Sequence, residues 1–358
     1  MLQYLFNILS APAYLNTVYS RCFIAFFVAL ILALSCGEHL INFLHTHQKK
    51  GQPIRECGPK SHLETKKGTP TMGGILILGS SIISIFLCAE LSNLLVWISI
   101  LVLTVYGFVG IVDDYTKVTK QTSNAMSAKM KLFLQFSTAL IAVGVISYCT
   151  PASSRFVLTF PYFLNLSVDL CWFYIPFAMI VITGSSNAVN LTDGLDGLAS
   201  GLMVLALPVF MVIAYICGSE LAFDFYILPI PQASEIAVTC AAVIGGCIGF
   251  LWFNASPAKI FMGDTGSLAL GAYLGTISVM LKHEILLAVV GLVFVIEALS
   301  VMLQVFWFKK TGGKRLFKMA PIHHHFEQCG WPETRVVTRF WIFGFILMIM
   351  GFLSIMHK

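Results

Sequence analysis

Charge is what this chain has least of. Only 11% of its 358 residues are Asp, Glu, Lys or Arg, against roughly a quarter in an ordinary soluble domain. A water-soluble protein of this length could not cover its surface with so few charges, and 58% of the chain is hydrophobic. The same shortage excludes a disordered polypeptide, a charge-flanked coiled coil and a nucleic-acid-binding module. Pro-rich and Gly/Ser linkers are missing too, so residues 1–358 read as one polytopic membrane domain. The ten cysteines contain no C-x-x-C pair, which leaves zinc and thiol-redox motifs unsupported. Most of them lie in or beside apolar runs, where cysteine acts as a small hydrophobe. The N-terminus has no basic stretch followed by a cleavable apolar core, so the first apolar run is expected to stay as a helix.

What the chain has in abundance is apolar sequence. Runs near the ~20 residues needed to cross a bilayer fall at residues 22–44, 72–89, 91–112, 132–149, 170–184, 198–217, 236–253, 267–281, 285–308 and 340–356. The expected fold is therefore an all-α integral membrane protein of about ten transmembrane helices. The run at 267–281 is short for a span. With ten alternating spans, the loops on one face hold eighteen of the 22 basic residues, in groups that include Lys49 to Lys67, Lys117 to Lys131 and Lys309 to Arg339. That asymmetry marks the cytoplasmic face and predicts that both termini are extracytoplasmic. The stretch around residues 222–235, which carries no basic residue, is expected to be an extracytoplasmic loop with a short hairpin near Phe223–Pro231.

Five aspartates collect on the basic face. Asp113 and Asp114 end the third span, Asp193 and Asp196 lie in Asn187-Ala-Val-Asn190-Leu-Thr-Asp193-Gly-Leu-Asp196-Gly, and Asp264 lies in Phe261-Met-Gly-Asp264-Thr-Gly-Ser. An isolated Asp beside Gly is most simply a helix cap or turn residue. Here the loops are tight and almost uncharged, and can reach between helices. If helical, Asn187, Asn190 and Asp193 share a face at i, i+3 spacing. Carboxylate and amide oxygens of this kind suit Mg²⁺, which uses one or two carboxylates together with substrate phosphates. Asp113 and Lys117 are spaced as an ordinary helical ion pair. Lys66-Lys67-Gly-Thr-Pro-Thr71-Met-Gly-Gly resembles a phosphate-binding loop entering a helix N-terminus, although paired lysines beside a membrane also meet lipid headgroups. His323, His324 and His325 are consecutive; in an extended segment they alternate faces, which favours hydrogen bonding to phosphate or base over a shared metal. Glu297, Ser300 and Gln304 form a polar face inside an otherwise apolar helix and must point into the bundle. Glu297 is as readily structural as catalytic, and Glu38 takes no assignment.

Taken together and in order, Asp113–Lys117, Asn187–Gly197, Phe261–Ser267 and the triple histidine resemble the polyprenyl-phosphate N-acetylhexosamine-1-phosphate transferases. Pro-Thr-Met-Gly-Gly (70–74) and Ala-Pro-Ile-His-His-His-Phe-Glu (320–327) narrow the resemblance to the phospho-N-acetylmuramoyl-pentapeptide-transferase family. The resemblance covers nearly the whole chain. It implies a Mg²⁺-dependent enzyme of the bacterial inner membrane, with its active site at the cytoplasmic face. Such an enzyme transfers phospho-MurNAc-pentapeptide from UDP-MurNAc-pentapeptide to undecaprenyl phosphate, giving lipid I and UMP. By the same resemblance Asp113, Asp114 and Asp264 are the catalytic acids, with Asp264 the leading Mg²⁺ ligand and Asn190 a second. Lys66, Thr71, Asn187, Asp193, Asp196, Asn254, Phe261, Gln304, His323, His324 and His325 would line the nucleotide-sugar site. Lys117 and Lys129 would meet phosphate. Membrane lipids and a second copy of the chain, in a homodimer, complete the candidate partners. Two other readings stay open at this point. One is a sister transferase using UDP-GlcNAc, and the other a transporter, whose binding groups should gather at mid-membrane instead of at one face.

Overall fold

A computed structural model describes residues 13–48, 68–120, 126–163 and 166–356. Thirteen α-helices among the described residues carry the fold: α1 (Val18–His47), α2 (Gly74–Cys88), α3 (Leu94–Lys120), α4 (Ala128–Cys149), α5 (Tyr174–Thr192), α6 (Leu198–Cys217), α7 (Leu221–Asp224), α8 (Ser234–Asn254), α9 (Gly263–Met280), α10 (Glu284–Val290), α11 (Leu292–Lys310), α12 (Ile322–Gln328) and α13 (Glu333–Met356). Their starts follow local chemistry. Thr17 accepts from the Ser20 amide at 3.4 Å to open α1, and Ser127 accepts from the Met130 amide at 3.3 Å to open α4.

Eight helices among the described residues are long and apolar enough to cross a membrane, which makes the chain a multi-pass membrane protein. The ten expected runs differ from this count at definite places. The second, α2, is apolar but only 15 residues long. The eighth, α9, is interrupted by four glycines and several polar residues, and every residue from Thr265 to Met280 is buried. It is a helix wrapped by protein, not one facing lipid. The run at 285–308 is two helices, broken at Gly291 between α10 and α11. The hairpin expected near Phe223–Pro231 is replaced by the single helical turn α7. The antiparallel pair of strands is instead β1 (Val157–Thr159) with β2 (Ser167–Asp169), with Leu158 opposite Val168.

Two helices form the centre. α8 packs on α1, α2 and α6, and α9 packs on α3, α5 and α2. Both are rich in small residues, Gly, Ala and Cys in α8 and Gly, Ala, Ser and Thr in α9, and in a bilayer such residues let backbones approach closely enough to gain van der Waals contact. The ends of these helices differ in their polar chemistry. At the start of α8, Glu235 takes a two-pronged bond from Arg21 (2.5 and 2.7 Å) and one from the Glu90 amide (2.9 Å), tying α1, α2 and α8 together. After α9, buried Lys282 donates to the Arg155 carbonyl at 2.7 Å and lies 3.8 Å from the Tyr174 ring centroid, while the Tyr174 hydroxyl bonds Glu284. The opposite ends, the C-terminus of α8 and the N-terminus of α9, face the aspartates.

Candidate active site

The site begins where α3 runs into the start of α9. Asp114, fully buried, accepts from the amides of Asp264 (3.2 Å) and Thr265 (3.0 Å) and from the Thr265 hydroxyl (2.9 Å). It thus caps a helix from another helix, meeting the free N–H groups that every α-helix leaves at its N-terminus. The loop entering α9 has to turn tightly beneath it. Gly263 has φ +73°, and a β-carbon there would lie 2.4 Å from Asp114 Oδ2 and 2.7 Å from Thr71 Oγ1. Only glycine fits that position.

The adjacent Asp113 points elsewhere, as successive helical residues must. Its Oδ1 accepts from the Met126 amide at 3.1 Å, and its Oδ2 lies 2.7 Å from Lys117 Nζ and 3.5 Å from Lys131 Nζ. Both lysines also reach Asp264 Oδ2, Lys131 at 2.5 Å and Lys117 at 3.1 Å. Asp264 Oδ1 accepts from Asn190 Nδ2 at 2.9 Å, and Asn190 also donates to Ser267 Oγ at 2.8 Å. Burial by itself raises the Asp264 carboxyl. The contact with Asp113 and the ammonium groups of Lys131 and Lys117 outweigh it and hold the group well below the usual carboxylate range. Three carboxylates and two ammonium groups thus form one connected cluster with little access to water.

Beside this cluster opens a cavity of about 180 Å³, lined by Asn190, Asp193, Gly194, Leu195, Asp196, Asn254, Phe261, Gly263 and Asp264. Its walls are fixed by backbone bonds. Asn254 Oδ1 accepts from the Gly197 amide at 3.0 Å and its Nδ2 donates to the Ile260 carbonyl at 2.8 Å. Asp196 accepts from the Ala258 amide at 3.1 Å, and its own amide donates to Glu333 at 2.7 Å. Phe261 donates its amide to Pro70, which joins this wall to the segment before α2.

The remaining expected residues lie at varying distances from the cavity lining. Thr71 is buried against Gly263 and Asp114, its amide donating to Gln48 at 3.0 Å. Asn187 and Asn190 both lie on α5, but Asn187 turns to Gln135 Oε1 at 3.0 Å. Gln304 holds the loop after α11 by accepting from the Phe317 amide at 2.8 Å. The histidines are helical rather than extended, on α12. His323 is buried against Gly194 with Nδ1 3.0 Å from Glu297, His324 pairs with Glu327 at 2.7 Å, and His325 accepts from the Lys318 amide at 3.1 Å. Lys129 is exposed on the first turn of α4. Lys66 lies outside the described residues. Lys131, Ser267 and Gln135 join the cluster without having been named as candidates: Lys131 was one of four lysines in its loop, Ser267 closed the Phe261–Ser267 motif, and Gln135 carried no sequence signal.

Among the described residues no three His, Cys, Asp or Glu side chains form a ready-made metal cage. The donor set nevertheless fits a cation that brings its own ligands. Mg²⁺ keeps several waters and needs one or two carboxylates plus phosphate oxygens, and here Asp264 and Asp113 already share ammonium groups as their cations. An Asn190 amide turned end for end would present oxygen at the same place, and that orientation is set by its partners.

Among known proteins, residues 96–282 match the family described as Glycosyl transferase family 4, and residues 66–78 match phospho-N-acetylmuramoyl-pentapeptide-transferase signature 1. Similar curated proteins include the phospho-N-acetylmuramoyl-pentapeptide-transferases of Rickettsia montanensis and Rickettsia felis, each 51% identical over 336 residues. The protein of that name from Rickettsia canadensis is 50% identical. Each alignment covers 94% of this chain and 92% of the relative.

Proposed function

The chain belongs to the phospho-N-acetylmuramoyl-pentapeptide-transferase family, and on that premise we propose how its residues divide the work. The reaction moves phospho-MurNAc-pentapeptide from UDP-MurNAc-pentapeptide to undecaprenyl phosphate, yielding lipid I and UMP. The observation that carries the assignment is the Asp113–Lys117–Lys131–Asp264 cluster at the edge of a polar cavity. A soluble, anionic nucleotide-sugar would occupy that cavity, its pyrophosphate drawn to the lysines. An apolar trough lined by Gly184, Ala188, Leu287, Phe294 and Leu299, between α5 and the α10–α11 break, suits the isoprenoid chain of the acceptor.

In the chemical step, an oxygen of the acceptor phosphate forms a bond to the β-phosphorus of the donor. The bond from that phosphorus to the bridging oxygen breaks, and UMP leaves with the oxygen. A phosphate monoester has its second pKa near 6, so the acceptor arrives mostly as the dianion and needs no base. Asp264, with Asn190, would hold Mg²⁺, which supplies charge neutralisation for the phosphates. Lys117 and Lys131 add to that neutralisation, Asp113 orients the two lysines, and Asp114 orients Asp264 by gripping the start of α9. Asp193, Asp196, Asn254 and Phe261 shape the donor cavity. On this reading the reaction runs at the basic, cytoplasmic face of the inner membrane, with both termini outside. Incubating the purified protein with polyprenyl phosphate, Mg²⁺ and either UDP-MurNAc-pentapeptide or UDP-GlcNAc tests the assignment. UMP is expected with the first donor, and release with UDP-GlcNAc alone would point to the sister transferase.

A further inference from the structure

Glu297 is a carboxylate in the middle of α11, with Phe294, Val295, Ile296, Ala298 and Leu299 around it in sequence, and it is fully buried. Such a group is costly unless paired, and in a membrane-embedded helix an ionisable side chain marks a function unless shown otherwise. Its partner is His323, also fully buried, whose Nδ1 lies 3.0 Å from Glu297 Oε2. The other ring nitrogen, Nε2, is buried with no hydrogen-bond partner among the described residues. It abuts Gly194, where a β-carbon would come within 2.4 Å of it, and Gly194 lines the donor cavity between Asp193 and Asp196. A buried imidazole nitrogen without a partner is rare in a folded protein and points to an occupant that the resting chain lacks.

We infer that Glu297 is a positioning residue that acts through His323, holding the ring so that Nε2 meets an N–H or O–H group of the nucleotide-sugar at the Gly194 wall. With the carboxylate accepting from Nδ1–H, the neutral ring has its lone pair on Nε2, and the tautomer is set by the bond at the other nitrogen. The ring then accepts; it does not donate to phosphate. Gly194 belongs to the same device, because any side chain there would displace the ring. Glu297 touches no substrate, and its effect belongs to donor binding and not to the displacement step. The inference rests on reading the cavity as the donor site. Wild-type turnover of UDP-MurNAc-pentapeptide is the control that fails if that reading is wrong.

The experiment measures donor KM and kcat for Glu297→Leu and Glu297→Gln, each alone and combined with His323→Ala. Glu297→Leu is expected to raise donor KM about tenfold or more, the size of one lost hydrogen bond, with kcat changed less than about threefold. Glu297→Gln, whose amide oxygen still accepts from Nδ1–H, should recover most of the loss. In the His323→Ala background neither substitution should add anything. An unchanged donor KM in Glu297→Leu, or an equal penalty with and without His323, would overturn the assignment. Nitrogen-15 spectra of histidine-labelled wild-type protein serve where the leucine variant does not fold, with His323 identified by its loss in His323→Ala. The expected spectrum has a proton on Nδ1 and a bare Nε2 whose resonance shifts when UDP-MurNAc-pentapeptide is added. A proton on Nε2 in the free protein, or no shift on binding, refutes the inference.

Discussion

Asp264 is the residue on which most contacts converge, since it meets Lys117, Lys131 and Asn190 and starts α9. Replacing it with Asn keeps size and removes the charge that a hard cation requires. Turnover should fall roughly 10³-fold or more while the melting temperature stays near wild type; near-normal turnover at ordinary Mg²⁺ would remove it from the metal site. Lys131→Met should cost about 10–100-fold in turnover, the scale of one charge-assisted bond, and Lys129→Met clearly less. The difference between these two lysines shows what a sequence can and cannot carry. Both sit in one basic loop, but two residues on a helix point about 200° apart, and which one faces inward depends on where Ser127 starts α4. Asp113 and Asp114 were likewise indistinguishable by type, because only the tertiary approach of α9 decides which one is used up on backbone amides. Asp113 remains the group beside the lysines that a covalent mechanism would need. Direct displacement predicts that lipid-free enzyme neither releases a burst of UMP nor exchanges labelled UMP into the donor until polyprenyl phosphate is added. A stoichiometric burst with label trapped on an Asp would establish the two-step route.

Composition and hydropathy located nearly every helix, because a bilayer-crossing segment has to be apolar over a minimum length. What they could not locate was a change of direction. The sequence from Leu286 to Ile296 carries no charged or polar side chain, so nothing in its hydropathy separates α10 from α11 at Gly291. The strands β1 and β2 were missed because three-residue ladders leave almost no periodic signal. The junction of α3 with α9 was visible as motifs but not as a joint. It depends on Gly263, whose left-handed backbone and contact with Asp114 tolerate no side chain. Gly263→Ala is expected to destabilise the fold by about 1–3 kcal/mol and to lose turnover along with it. A melting temperature and rate equal to wild type would mean that the loop relaxes without moving Asp264.

At the scale of the whole molecule, the ten-span reading assigns eighteen of the 22 basic residues to loops on the aspartate-bearing face. Cysteine labels placed near Lys120 and Lys314 should therefore be shielded from an impermeant reagent outside the cell, while tags on both termini should be reached. A C-terminus accessible only from the cytoplasm would reverse the orientation. The central position of α9 has a mechanical consequence for an enzyme in a changing bilayer. Helices that touch lipid tilt as the hydrocarbon thickness varies, but from Thr265 to Met280 α9 is enclosed by protein on every side. The helix that carries Asp264 is thereby insulated from the host lipid, and tilting of the outer helices need not change the spacing between the Asp264 carboxylate and its lysines.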